Sequence, residues 1–290
     1  MRLTIIHNPV AGGPRKRLRA VTEELSGRGC VLTCRETRGR GDAEAMAADI
    51  DPSACDRLVV AGGDGTVNEV VNGLARVAGA PPLSIVPMGT ANVLAAEIGL
   101  TLLPRAIARA IVQGPVRDVS LGTVNGRRFV LMAGVGFDAA VVAGIDPALK
   151  RRFGKGAYVA ASLARLAAGH FGRYTIGVNG HSHEARSAVV AMAGHYGGPW
   201  IISHEAGLDR PEFRLCLFER GARIDVARYT LALMRGRLEK TNGFRTLAAS
   251  SLTISGADGE PIQADGDIVA RLPATVSILP GALRLVYPAA

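Results

Sequence analysis

Aromatic residues are scarce in this chain: one Trp, five Tyr and seven Phe among 290 residues. A core must therefore be built from small aliphatic side chains, and a nucleic-acid surface that stacks bases on rings is not indicated. The four cysteines, Cys30, Cys34, Cys55 and Cys216, form no C-x-x-C pair and have no histidine at zinc-ligand spacing. That argues against a zinc site or a disulfide framework, and leaves reduced thiols of a cytoplasmic protein as the expectation. No run reaches about 18 uncharged apolar residues, so a membrane-spanning helix is not expected. The opening Met1 to His7 is too short an apolar run for a signal peptide and reads as a first strand. Internal repeats and low-complexity linkers are also missing. Acidic residues are in deficit, 25 against 34 basic ones, for a formal charge of +9. A chain of that charge is drawn to anionic partners such as nucleotides, nucleic acid or an acidic membrane surface. Its length suits two domains of ordinary size.

What is present is glycine, and one stretch organises the rest. Leu58 to Ala61 is a short apolar strand, Gly62-Gly63-Asp64-Gly65 a turn, and Thr66 to Leu74 a helix with Val67, Val70, Val71 and Leu74 on one face. Thr66 and Glu69 have the spacing of a capping box, which puts the helix start at Thr66. Glycines let amide N–H groups approach an anion closely, and the helix N-terminus adds partial positive charge at the same point. The loop is neither a Walker A sequence nor a dinucleotide fingerprint. A carboxylate repels phosphate unless a cation lies between them, so Asp64 suggests bound Mg²⁺. As a bland alternative, Asp64 is a turn former.

Strands at Arg2–His7, Val31–Thr37, Leu58–Ala61 and Leu83–Val86 alternate with helices at Arg15–Ser26, Asp42–Ala48, after Asn92 and from Pro104 to Gln113. This is the pattern of a doubly wound, Rossmann-like parallel sheet, in which ligands bind beyond the carboxyl ends of the strands. Three strand ends, at Asn8, Gly62 and Pro87, carry a glycine turn with a small polar residue, which together imply a binding cleft. After Gln113 the turns become hairpin-like, at Asn125-Gly126, Asn179-Gly180, Asp258-Gly259 and Asp265-Gly266. Helices are expected at about 138–144, 155–168 and 224–235. The expected organisation is a nucleotide-binding α/β domain over 1–116 and a mainly antiparallel β-sandwich domain over 117–282, with 283–290 returning to the first.

Gly62-Gly63-Asp64-Gly65-Thr66-x-Asn68-Glu69 closely resembles the signature of the diacylglycerol kinase catalytic domain, found in bacterial lipid kinases and in sphingosine and ceramide kinases. Asn8-Pro9-Val10-Ala11-Gly12-Gly13 resembles that family's opening turn, Thr37 stands where the family has a threonine near the adenine nucleotide, and Pro87-Met88-Gly89-Thr90-Ala91-Asn92 resembles its Pro-x-Gly-Thr-x-Asn motif. The resemblance thus implies an ATP site made from Asn8, Pro9, Gly12, Thr37, Gly62, Gly63, Asp64, Gly65, Thr66, Asn68, Glu69, Gly89, Thr90 and Asn92. Val93 replaces the acid that usually follows. Gly134-Val135-Gly136-Phe137-Asp138-Ala139 is similar to the segment opening the family's β-rich domain, and Asp265-Gly266-Asp267 to its Asp-Gly-Glu motif; the literal tripeptide Asp258-Gly259-Glu260 is taken as a hairpin turn. Beyond Tyr196-Gly197-Gly198 the family has an acidic stretch for a structural Mg²⁺. Here Arg210 occupies its centre, leaving Asp209 as the ligand candidate.

The resemblance implies an ATP- and Mg²⁺-dependent kinase acting on a hydroxyl of diacylglycerol or a sphingoid-type lipid, cytoplasmic and peripheral to an anionic membrane. Asp64, Asp267 and Asp209 are the metal candidates, and Asp265 or Asp267 the proton acceptor, the choice between them left open. Lys150-Arg151-Arg152-Phe153-Gly154-Lys155 could dock on a membrane or be a solvated loop. Self-association as a homodimer stays open. An NAD kinase is the same-class rival, and a nucleotide- or lipid-binding regulator without turnover is the rival from another class.

Overall fold

A computed structural model describes residues 1–11, 15–137, 139 and 172–289. The chain forms two compact units, Met1–Val119 with Gly281–Ala290, and Ser120–Pro280.

In the first unit, strands β1 (Arg2–His7), β2 (Val31–Glu36), β3 (Arg57–Gly62) and β4 (Leu83–Pro87) pair in parallel in the order β2-β1-β3-β4. Between them run α1 (Arg15–Gly27), α2 (Asp42–Ala48), α3 (Asp64–Leu74), α4 (Val93–Glu97) and α5 (Pro104–Gln113). Leu58 to Ala61 are fully buried one after another. Successive strand residues face opposite sides, so an unbroken buried run means that both faces are covered, as a parallel sheet requires. The expected Rossmann-like architecture is found. Helix α2 packs on α3 and α1 on α5. The first pairing is close enough that a Cβ on Gly73 would lie 2.2 Å from the Glu44 carbonyl oxygen, which only glycine permits. Arg57 stops α5 by donating to the carbonyls of Ile111 (2.6 Å) and Gly114 (3.0 Å).

The order reverses between β1 and β3, since the chain steps outward to β2 and then back past β1. Such a switch point opens a crevice at the carboxyl ends of the strands.

The second unit is antiparallel. After β5 (Val116–Val124), β6 (Arg127–Phe129) and β7 (Met132–Val135), the chain adds β8 (Tyr174–Val178), β9 (His181–Ala185), β10 (Ser187–Ala191), β11 (His195–Tyr196), β12 (Trp200–Ile201) and β13 (Phe213–Phe218). Helix α6 (Arg223–Met234) and a 3₁₀ turn (Leu238–Lys240) precede β14 (Phe244–Ala249), β15 (Ser251–Ser255), β16 (Pro261–Ala264), β17 (Asp267–Arg271) and β18 (Ala274–Val286). One sheet runs β14-β13-β10-β7-β16-β17. In the other, β15 pairs with β8 and with the first half of β18. The far end of β18 lies in the first unit, where Leu285 pairs in parallel with Leu83. Strand β15 alternates buried and exposed, whereas all five residues of β10 are buried.

Asn125-Gly126, Asn179-Gly180 and Asp265-Gly266 have positive φ at both residues, the geometry of two-residue hairpins. At Asp258-Gly259 only the glycine does. Three aromatic rings cluster at α6: Phe218 packs edge-on against Tyr229 (5.2 Å) and Phe244 (5.0 Å), and the Tyr229 hydroxyl donates to the Gly243 carbonyl at 2.8 Å. Gly12 and the helices expected at 138–144 and 155–168, with Lys150 to Lys155, lie outside the described residues.

Candidate functional site

The turns that leave β1, β3 and β4 meet at the switch point. Leaving β1, Asn8 bonds its amide to the Ala61 carbonyl (2.9 Å), accepts the Val10 amide on its side-chain oxygen (3.1 Å), and donates from Nδ2 to Thr66 Oγ1 (3.0 Å). The turns after β3 and β4 interlock more tightly. The Met88 amide donates to the Gly62 carbonyl at 2.8 Å, and a Cβ on Gly89 would sit 2.7 Å from Gly63 Cα. A side chain at either position would force the loops apart. Gly62 is constrained too, because a Cβ there would lie 2.6 Å from that of Thr66.

Asp64 completes the interlock. Its two carboxylate oxygens accept the amides of Val93 and Leu94, each at 3.1 Å, at the start of α4. Asn92, at the N-cap of that helix, has φ +49 and makes no side-chain cap bond. Its side chain instead closes its own turn, accepting the Gly89 amide (2.7 Å) and donating to the Gly89 carbonyl (2.9 Å). Asp64 therefore caps α4 from outside, and the glycine-aspartate turn and the Pro-x-Gly-Thr-x-Asn turn are one structural piece.

The start of α3 corrects the sequence reading. The helix begins at Asp64 with Gly63 as its cap, two residues ahead of Thr66, and no capping box forms. Thr66 Oγ1 accepts from Asn8 Nδ2, and Glu69 accepts the Gly41 amide at 3.0 Å. Gly63 can take the extended conformation that begins the helix earlier, so the first-turn amides at Gly65 and Thr66, which lack partners within a helix, stand at the end of β3. Asn68 is buried and accepts from Asn72 Nδ2 at 3.2 Å, and Thr37 is buried with its amide on the His7 carbonyl. Pro9 and Gly89 are half-buried, while Thr90 is exposed at the tip of its turn. In sequence the run Arg15-Lys16-Arg17-Leu18-Arg19 reads as a solvated helix face, with phosphate contact as the alternative; in the fold Arg17 reaches from α1 to donate to the Pro87 carbonyl at the end of β4.

In the second unit Asp265 does for β7 what Asp64 does for α4. Its carboxylate accepts the amides of Val130 (2.7 Å), Leu131 (2.9 Å) and Met132 (3.1 Å), while its own amide donates to the Met132 carbonyl. Three of about four acceptor positions of an ionised carboxylate are thereby taken. Asp267, two residues on, opens β17 opposite Ala264 and is half-buried. Glu260, of the tripeptide taken as a hairpin turn, accepts the Tyr174 hydroxyl.

The described residues do not form a resident Mg²⁺ site. Mg²⁺ seeks near-octahedral oxygen ligation. Among the described residues no three His, Cys, Asp or Glu side chains come together in a way that could hold a metal ion. Both Asp64 oxygens hold amides, Val93 is apolar, and Asp209 is exposed. Beside Asp209 the loop is fixed by protein groups: Ser120 donates from its amide to the Leu208 carbonyl and from its hydroxyl to the Arg210 carbonyl, both at 2.7 Å.

The second unit also contains an apolar cavity of about 90 Å³, lined by Phe137, Val189, Phe218, Val226 and Leu233, with Arg186 and Arg220 in its wall. Tyr229 lines it too, and burial pushes that phenol above its ordinary range. Nothing local in the sequence marks this cavity, because its lining comes from five elements and loops far apart in the chain.

A switch-point crevice edged with glycine turns and a helix N-terminus defines the class: a doubly wound α/β protein in its first unit, followed by an antiparallel second unit. Residues 2–124 match the diacylglycerol kinase catalytic domain, and residues 132–287 match the YegS C-terminal NAD kinase beta sandwich-like domain. The chain belongs to this family of lipid kinases, whose members transfer a phosphoryl group to an alcohol. It is 29% identical over 293 residues to a protein of Pseudomonas aeruginosa (strain UCBPP-PA14) named "Probable lipid kinase YegS-like", covering 99% of this chain and 94% of that one. A Bacillus subtilis (strain 168) diacylglycerol kinase is 26% identical over 295 residues, with 99% and 96% covered. A crystal structure of a diacylglycerol kinase from Bacillus anthracis str. Sterne shares the fold, with a TM-score of 0.80 at 23% identity over 99% of this chain and 96% of that one.

Proposed function

We propose that this protein transfers the terminal phosphoryl group of ATP to a hydroxyl of a diacylglycerol or sphingoid-type lipid, working in the cytoplasm at the face of a membrane. The observation that carries the reading is the three-turn interlock at the switch point. First-turn amides of α3 and the Arg17 guanidinium, with further donors beyond the one spent on Pro87, supply positive charge where a triphosphate would lie. Phosphoryl transfer asks mainly for this positioning and charge neutralisation. Mg²⁺ would arrive with ATP on the phosphate oxygens, because the described residues offer no ready cage.

The lipid oxygen attacks the γ-phosphorus, the bond to the β-phosphate oxygen breaks, ADP leaves, and the hydroxyl proton passes to a carboxylate. Asp267 is better suited to that proton than Asp265, whose oxygens already hold three amides. Support for a lipid acceptor comes from the family to which the chain belongs; the apolar cavity of the second unit, at about 90 Å³, falls short of the roughly 300 Å³ of a small-ligand pocket.

The test is γ-labelled ATP offered with a total lipid extract and, separately, with NAD. Label in a phospholipid product is expected. Label in NADP with none in lipid would replace this reading with an NAD kinase, and no transfer to either would leave a binding protein.

A further inference from the structure

Helix α6 is not amphipathic in the usual sense. Its inner side supplies Val226, Tyr229 and Leu233 to the cavity wall. Its outer side leaves Ile224, Leu231 and Met234 exposed, at 75%, 47% and 58%. Residues seven and ten positions along from Ile224 fall within about 80° of it on a helix of 3.6 residues per turn, so the three make one stripe. Single exposed apolar residues need no explanation. Here three of the ten large exposed apolar residues among those described fall in one helix of 12, which is a patch and not scatter.

Cations surround the stripe. Arg223, Arg235, Arg237 and Lys240 are exposed. Among the described residues none of them has an ion-pair partner, while the one acid of the helix, Asp225, is taken by Arg228 at 2.8 Å. Strand β12, which packs against α6, carries Trp200, the sole tryptophan of the chain and 37% exposed. Indole rings with one wet and one apolar side favour the membrane–water boundary.

We propose that the outer face of α6 is the surface by which this protein seats itself on an anionic lipid leaflet, with Ile224, Leu231 and Met234 entering the headgroup boundary and Arg223, Arg235 and Arg237 meeting lipid phosphates. A second copy of the chain is a poorer occupant, because a two-fold contact would bring the arginine clusters together. A nucleic acid would match the charge and leave the apolar stripe uncovered. The choice of a lipid partner rests on the kinase reading, and the placement on α6 adds to it: one helix would meet the leaflet outside and line the cavity inside.

The experiment needs no turnover, so its failure is separable from failure of the kinase reading. The full chain, without ATP, is sedimented with vesicles of phosphatidylcholine alone or mixed with phosphatidylglycerol, while the Trp200 emission is followed. Binding to the mixed vesicles with a blue shift is expected. Leu231→Glu with Met234→Glu should weaken that binding by at least about tenfold, from the apolar burial lost. Arg235→Gln with Arg237→Gln should weaken it by roughly fivefold per arginine at low salt, and progressively less as salt is added. Phosphorylation of a water-soluble short-chain diacylglycerol should be unchanged in both variants. Equal vesicle binding by parent and both variants would overturn the proposal. So would sedimentation without any change in Trp200, or loss of a dimer in the Leu231/Met234 variant with vesicle binding intact.

Discussion

Asp64 follows two glycines at the end of a parallel strand, and Asp265 precedes one at the tip of an antiparallel hairpin. Both hold backbone amides of a segment far away in the chain: Asp64 those of Val93 and Leu94, Asp265 those of Val130, Leu131 and Met132. They differ in what surrounds them. Asp64 stands in a cluster of turns that presents helix-terminal amides and an exposed Thr90, whereas Asp265 closes a hairpin and is occupied by the strand it grips. A motif aspartate can thus be indispensable because it folds the site, and chemistry can rest with a neighbour.

Substitutions can break this comparison, and the largest effect should be on rate. Asp267→Asn is expected to lower turnover by about 10² to 10⁴, the range for a lost general base, with an unchanged urea midpoint. If Asp265→Asn gives that loss at full stability and Asp267→Asn does not, the roles are reversed. Next, Asp265→Ala should cost about 3 kcal/mol in urea unfolding, from three amides left without their acceptor. A stable but inactive Asp265→Ala would show that gripping β7 is incidental. Asp64→Asn should cost about 1 kcal/mol, the scale of a lost helix cap, and weaken ATP binding measured by calorimetry. Unchanged ATP affinity in a destabilised variant would separate capping from nucleotide binding.

The smallest effect tests a third carboxylate that holds an amide. Burial pushes Glu239 up, but hydrogen bonds from the His204 amide and ring and from Ser203 outweigh it and hold the carboxyl below its ordinary range. A depressed carboxyl stabilises the fold fully above its unfolded value, about 4.3, and that contribution is lost as pH falls through the folded value. Glu239→Gln should therefore be less stable than the parent by under about 1 kcal/mol at neutral pH in urea unfolding, given the exposure of the pair. The difference should fade in acid; one that grows in acid would give the shift the opposite sign.

The first unit was largely legible because unbroken apolar strands, short connections and helix-period faces all point to one parallel sheet. Pro104 opens α5, and Arg2–His7 is β1, as the pattern suggests. The start of α3 misled because Thr66 and Glu69 have the spacing of a local pair, yet each found a partner distant in sequence, Asn8 and Gly41. In the second unit the asparagine and aspartate turns foretold hairpins from local backbone preference alone. What could not be read were the contacts that turns make across the fold: the grip of Asp265 on β7, the reach of Arg17 to Pro87, and the cavity behind α6.

The near-touching backbones of Gly63 and Gly89 have a consequence for inheritance and for engineering. Two stretches of sequence some 26 positions apart behave there as a single heritable part, since neither loop can gain an atom unless the other retreats. Transplanting one loop from a relative should fail where transplanting both succeeds, so a breeder of chimaeras would do well to treat residues from Gly62 through Leu94 as one cassette.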